Sequence, residues 1–177
     1  MLNTAPPGAD TSGVEDVHTP PDLVAEVDGL LGAGGEGGPA VIWLDLERFG
    51  EVNTALGRQA GDELLEVVAK RLRAAVRDED LVARVGADAF VVACPRIATG
   101  AEAVRAAIRM GETVGGQVQL KAGRARVRAA VGVAWSPEGD VDGAGLLGRA
   151  EAAMHQARQR GGGRPVLASG PASERPG

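Results

Sequence analysis

Aromatic residues make up only 2% of the 177-residue chain, and tyrosine is absent. A core must therefore be built from Val, Leu, Ala and Ile. Cysteine occurs once, as Cys94, which excludes an internal disulfide and fits a reducing compartment. Lysine is nearly missing, with Lys70 and Lys121 the only two. The basic side chains are otherwise arginine, which with the high Ala and Gly content looks like a coding bias of little functional weight. Net positive charge is lacking too: the formal value is −5, which argues against general binding to nucleic acid or to a membrane surface. The longest apolar runs, such as Phe90–Cys94, are too short to span a bilayer. The first 21 residues carry no basic patch and no apolar segment of a secretory signal. A cytoplasmic protein with one domain and tails is expected.

What is present reads as alternating strands and helices. Residues 1–20, rich in Pro, Gly, Thr and Asp, are expected to be a disordered tail, as are residues 169–177. Residues 21–38 read as a short helix (Pro21–Ala33) with a Gly-rich link through Pro39. Ala40–Leu46 is a continuous apolar run interrupted by an acid, the mark of a buried strand leading to a site. A short helix stopped by Gly57 follows. The segment Gly61–Arg77 then places Leu64, Leu65, Val68, Leu72 and Val76 on one helical stripe. Two strands flank the stretch ARVGADAF (Ala83–Phe90). Next come a helix stopped near Gly115, a long alternating strand Arg124–Trp135, a last helix ended by Gly161–Gly163, and a short strand at Pro165–Ala168. This order points to an α/β sandwich with a mixed sheet.

Several pieces agree in order and spacing. A strand ends in Leu-Asp-Leu and is followed by Arg-Phe. Asn53 and Gly61-Asp62 come next, then the helix and the hairpin; AVGVAW and AEAAMHQARQRG complete the series. From about Ala40 to Leu167 the chain resembles a GGDEF domain, the family of diguanylate cyclases that condense two GTP molecules into cyclic di-GMP. Residues 39–168 are assigned to that domain. The resemblance implies a palm-like fold of the nucleotide-cyclase type, a central mixed β-sheet flanked by helices.

The same resemblance carries site residues, and here the signature is degenerate. GADAF (Gly86–Phe90) stands where the family has its five-letter motif. Gly86 retains the freedom for the positive φ of a type II′ turn. The second glycine is Ala87, whose methyl obstructs close approach of phosphate. Asp88 keeps the catalytic, metal-binding carboxylate, while the following glutamate has become Ala89. Asp45, Asp88 and the Leu46 carbonyl are the implied Mg2+ ligands should GTP bind. Asn53 and Asp62 match the guanine-reading pair, an amide with complementary donor and acceptor atoms and a carboxylate for base N–H groups. Arg158 stands in for one phosphate-binding lysine; Gly50 and Gly162 replace two other cations. Losing such contacts, at about 1.5–3 kcal/mol each, and an acid–base group worth about 10²–10⁴ in rate, leads to an expectation of no efficient catalysis.

Five residues ahead of the signature stands Arg77-Asp-Glu-Asp80, the family's Arg-x-x-Asp inhibitory site for cyclic di-GMP. By resemblance, Arg77 donates to a guanine edge and faces phosphate, and Asp80 accepts guanine N–H. Arg105 and Arg109 lie on the next helix without a fixed register. The expected function is a catalytically degenerate signalling receptor for cyclic di-GMP, passing the bound state to an unidentified protein partner. Two alternatives stay open: a weakly active homodimeric cyclase, and a protein-binding module that needs no nucleotide. The plainer structural readings also stay open: Asp45 as a strand end, Asp62 as a helix cap, and Arg77 with Asp80 as a solvated helix terminus. Arg124, Arg126 and Arg128 read either as a charged edge strand or as a patch for nucleotide phosphate or an acidic partner.

Overall fold

The apolar run ending at Leu46 forms β1 (Gly38–Leu46), which lies in the middle of a five-stranded sheet. A computed structural model describes residues 20–32, 35–137 and 141–169; of the tails expected at residues 1–20 and 169–177, residues 1–19 and 170–177 lie outside the described residues, whereas Pro20 already opens a helix. The strand order is β2 (Leu81–Val85), β3 (Ala89–Ile97), β1, β6 (Ala129–Trp135) and β7 (Val166–Leu167). β1 is antiparallel to both neighbours, whereas β7 runs parallel to β6, so the sheet is mixed, as expected.

A strand buried on both faces has no polar alternation to show, and β1 illustrates the point. Ala40, Ile42, Leu44 and Leu46 enter one core layer, and Val41 and Trp43 the other. The first layer is closed by α3 (Arg58–Ala75) and α4 (Gly100–Val114), through Leu64, Val68 and Leu72 of α3 and Ala103, Ala107 and Met110 of α4. The second is closed by α1 (Pro20–Leu31) and α5 (Gly143–Gln159), through Leu23, Val27, Leu146, Ala150 and Met154. With so few aromatics, close approach of backbone replaces bulky side chains. A Cβ on Gly132 of β6 would run into the α5 backbone at Ala150, Ala153 and Met154.

Helix ends are fixed by side chains. Thr99 accepts from the N–H of Glu102 at 3.1 Å, and the Glu102 carboxylate accepts from the N–H of Ala98 at 2.9 Å, a capping box for α4. At its far end the Arg71 guanidinium donates to the carbonyls of Val114, Gly115 and Gln117. The α5 N-terminus is held twice. Asp142 accepts from the N–H of Gly145 at 2.8 Å, and Asp28 of α1 accepts from that of Gly143 at 2.6 Å.

Two expectations are corrected. The long strand at Arg124–Trp135 is two strands: β5 (Gly123–Val127), which pairs with β4 (Gly116–Leu120) in a separate two-stranded sheet, and β6. The break falls at Arg128, and β4 was not anticipated. The expected Gly-rich link also ends earlier, because Gly38 and Pro39 already belong to β1. Among the described residues, no helix is long and apolar enough to cross a membrane.

Candidate nucleotide site

The hairpin between β2 and β3 closes through Gly86, Ala87 and Asp88, with Val85 paired to Ala89. The loop thus has three residues, not the two of the expected type II′ turn, although Gly86 does take a positive φ of 66°. The Arg84 guanidinium donates to the Ala87 carbonyl at 3.1 Å, tying the tip to β2. The N–H of Leu46 donates to the Asp88 carbonyl at 2.9 Å, fastening the tip to the end of β1. Asp45 and Asp88, expected as metal ligands, therefore come from adjacent strand ends, with Leu46 between them.

Ala89 lies in β3 directly opposite Asp45. Directly opposed residues share a sheet face, so a glutamate at 89 would stand beside Asp45 on the α5 side. With alanine there, Arg158 from the last turn of α5 forms an ion pair with Asp45. The Asp45 side chain is 8% exposed and the guanidinium half-exposed. Gly162, expected to stand in place of a cation, has a contact of its own. A Cβ there would collide with the Glu47 carboxylate, which lies against this glycine and 3.8 Å from Arg128.

Among the described residues, no three His, Cys, Asp or Glu side chains converge as a metal centre would require. Mg2+ is held by one or two carboxylates plus substrate phosphates in near-octahedral geometry. Here the charge of Asp45 is matched by a guanidinium, leaving Asp88 as the one uncommitted carboxylate of the expected set. The residues as arranged do not fit Mg2+.

Asn53 on α2 (Phe49–Leu56) and Asp62 on α3 are brought together by Gly61. A Cβ at that glycine would overlap the Asn53 amide, so its absence lets Asn53 lie against α3 next to Asp62. Asp62 opens onto a groove of about 450 Å³ shared with Leu56, Glu63, Glu66 and Lys121. Its three carboxylates would repel phosphate and can accept N–H donors of a base.

Arg77 and Asp80 occupy the turn between α3 and β2, at the opposite end of β2 from the hairpin tip. Five residues at about 3.3 Å each put the two places about 17 Å apart. The turn is closed reciprocally: the N–H of Arg77 donates to the Asp80 carboxylate at 2.9 Å, and the N–H of Asp80 donates to the Arg77 carbonyl at 3.0 Å. The Arg77 guanidinium is 61% exposed, with Glu102 at 4.0 Å. Beneath the turn lies Cys94, buried and adjacent to Asp80. Burial pushes its thiol up to about 12; the charge and hydrogen bond of Asp80 act in the same direction, and Arg77 and Arg109 oppose them. Glu47, Arg84 and Cys94 carried no motif signal. The glycine of the Gly-Asp pair was the visible sign of the Asn53 contact.

A family model described as "Diguanylate cyclase, GGDEF domain" matches residues 36–164. The diguanylate cyclase TpbB of Pseudomonas aeruginosa (strain UCBPP-PA14) is 37% identical over 130 residues, 73% of this chain and 30% of that protein. The bifunctional diguanylate cyclase/cyclic di-GMP phosphodiesterase MucR of Pseudomonas aeruginosa is 35% identical over 122 residues, 69% of this chain and 18% of that one. The crystal structure of the GGDEF domain of YfiN or TpbB from Pseudomonas aeruginosa superposes with a TM-score of 0.78 at 31% identity, covering 86% of this chain and 96% of that one. The chain thus spans less than a third of the length of these two curated relatives.

Proposed function

This chain belongs to the diguanylate cyclase GGDEF-domain family, and we propose that within it the chain binds cyclic di-GMP through Arg77 and Asp80 and no longer makes it. The reading rests on the unequal state of the two ends of β2. At the hairpin end, Arg158 neutralises Asp45, Glu47 lies against Gly162, and Ala89 supplies no carboxylate. At the other end, a closed turn holds the Asp80 carboxylate while the Arg77 guanidinium stays 61% exposed. A guanidinium fork and an oriented carboxylate are complementary to the acceptor edge and the N–H groups of guanine.

Calorimetric titration of cyclic di-GMP into the full chain tests this. Removing a hydrogen bond to a charged group costs about 1.5–3 kcal/mol, so Arg77→Ala should weaken binding by about 10–150-fold, while Arg158→Ala leaves it unchanged. Equal binding by Arg77→Ala refutes the assignment. The competing reading, a weakly active homodimeric cyclase, draws on the juxtaposition of Asp45 and Asp88 through the Leu46–Asp88 bond. Release of cyclic di-GMP from GTP and Mg2+ at high protein concentration would favour it over the receptor.

A further inference from the structure

A second concavity, of about 430 Å³, opens between the last turns of α4, the corner joining β5 to β6, and the loop after α5. Its lining includes Arg126 and Arg128 of the alternating arginines, and none of the residues assigned to metal, guanine or cyclic di-GMP. Along its α4 side Gly111, Gly115 and Gly116 carry no side chains, beside Glu112 and Ile108, which is 42% exposed; a Cβ at Gly116 would meet nothing within 4 Å, whereas one at Gly111 would face Val131 at 3.3 Å. Arg126, Arg128 and Arg164 stand around it, and the one acid lining it is Glu112. Three guanidiniums against one carboxylate leave a local charge of +2 in a chain whose net charge is −5. Arg128 leans toward Glu47 at 3.8 Å; Arg126 and Arg164 have no ion-pair partner among the described residues.

We propose that this pocket binds a nucleotide, its phosphates held by Arg126, Arg128 and Arg164 and its ring lying over the glycine floor beside Ile108. Guanidinium groups are the side chains best shaped for phosphate, because their planar fork donates two parallel hydrogen bonds. A floor without side chains admits a flat ring at van der Waals distance, and an exposed isoleucine supplies an apolar edge for it. The volume falls within the range of about 300–1,000 Å³ usual for small-ligand sites. Glu112 can accept from an exocyclic amino group of the ring. A nucleic-acid strand is a poorer match, because three arginines around one pocket offer no extended basic track for a phosphate backbone. The proposal is independent of cyclic di-GMP binding at Arg77.

ADP is the suitable probe, because the Asn53–Asp62 pair was matched to guanine and not to adenine. Titration of ADP into the full chain at low salt should show saturable binding. Arg126→Gln/Arg164→Gln removes two exposed cations without touching the core, and should weaken ADP by at least about 150-fold, the equivalent of two charged hydrogen bonds at the low end of their range. Ile108→Glu should weaken ADP at least about tenfold by replacing the apolar edge of the ring's seat with a charge. Arg77→Ala should bind ADP as the unaltered chain does, and pyrophosphate should bind at least about tenfold more weakly than ADP because it lacks the ring. A thermal melt of each variant, expected to superpose on the parent, separates lost binding from lost fold. The proposal is overturned by absence of ADP binding at millimolar concentration, by undiminished binding in the double variant, or by loss in Arg77→Ala. Pyrophosphate as tight as ADP would refute the seat for the ring.

Discussion

Replacing Gly132 by alanine adds one methyl group at the place where α5 rests on the sheet. Gly132 pairs with Trp43 on one side and Val166 on the other, so it has no free edge toward which to relax. The new Cβ would lie 2.7 Å from the Ala153 carbonyl carbon and closer still to the Met154 nitrogen and the Ala150 oxygen. All three are helix backbone, and no rotamer change relieves them; α5 has to lift, loosening Leu146, Ala150 and Met154 from the core. Overpacking of this kind costs about 1–3 kcal/mol or more, and a backbone obstacle belongs at the upper end. Gly→Ala substitution returns about 0.4–1 kcal/mol by restricting the unfolded chain. A net loss of about 2–3 kcal/mol follows, lowering Tm by about 6–12 °C in a domain of this size. Calorimetry and urea titration measure it, with Gly148→Ala as the control in the same helix. A Cβ at Gly148 meets nothing within 4 Å, so that change should stabilise by about 0.5–1 kcal/mol through helix propensity. If Gly132→Ala melts within 2 °C of the parent, the close seating of α5 on β6 is wrong.

Three other outcomes are expected. Thr99→Ala removes the α4 cap and should cost about 1 kcal/mol, read as a shift in urea midpoint with unchanged m-value. Arg158→Gln leaves the buried Asp45 carboxylate without its partner; because the guanidinium is half-exposed the loss should stay near 1–2 kcal/mol, about half that of a fully buried pair, by the same titration. The Cys94 thiol, raised from 9.0 to about 12, gives stability that is complete below pH 9 and declines toward pH 12, because the unfolded chain ionises first. The full decline is about 4 kcal/mol, and with no tyrosine in the chain few other groups titrate in that window. Urea midpoints at pH 8 and 10.5 should diverge in the parent and converge in Cys94→Ala.

The architecture was legible where one pattern governed one element. Ala40–Leu46 reads as a doubly buried strand because it is one, and the stripe from Leu64 to Leu72 reads as a helix because a single face is covered. The β5–β6 corner was hidden because the outward arginines 124, 126 and 128 keep the same alternation across it, with no Gly or Pro to mark the bend. At the candidate site the residue types were legible and their pairings were not. Nothing near Arg158 in sequence announces Asp45 as its partner, because the length of α5 and its seating on Gly132 decide what its last turn meets. That Glu47 lies against Gly162 could not be read either, because it depends on the path of the chain after β1.

The two ends of α5 are each tethered to a different part of the molecule. Its first residue is bonded to Asp28 of α1, and its last turn carries the guanidinium that sits on Asp45. Seventeen residues at about 1.5 Å apiece make a stiff lever about 25 Å long. A shift of α1 would therefore bear, through that lever, on the carboxylate at the opposite end of the same sheet face.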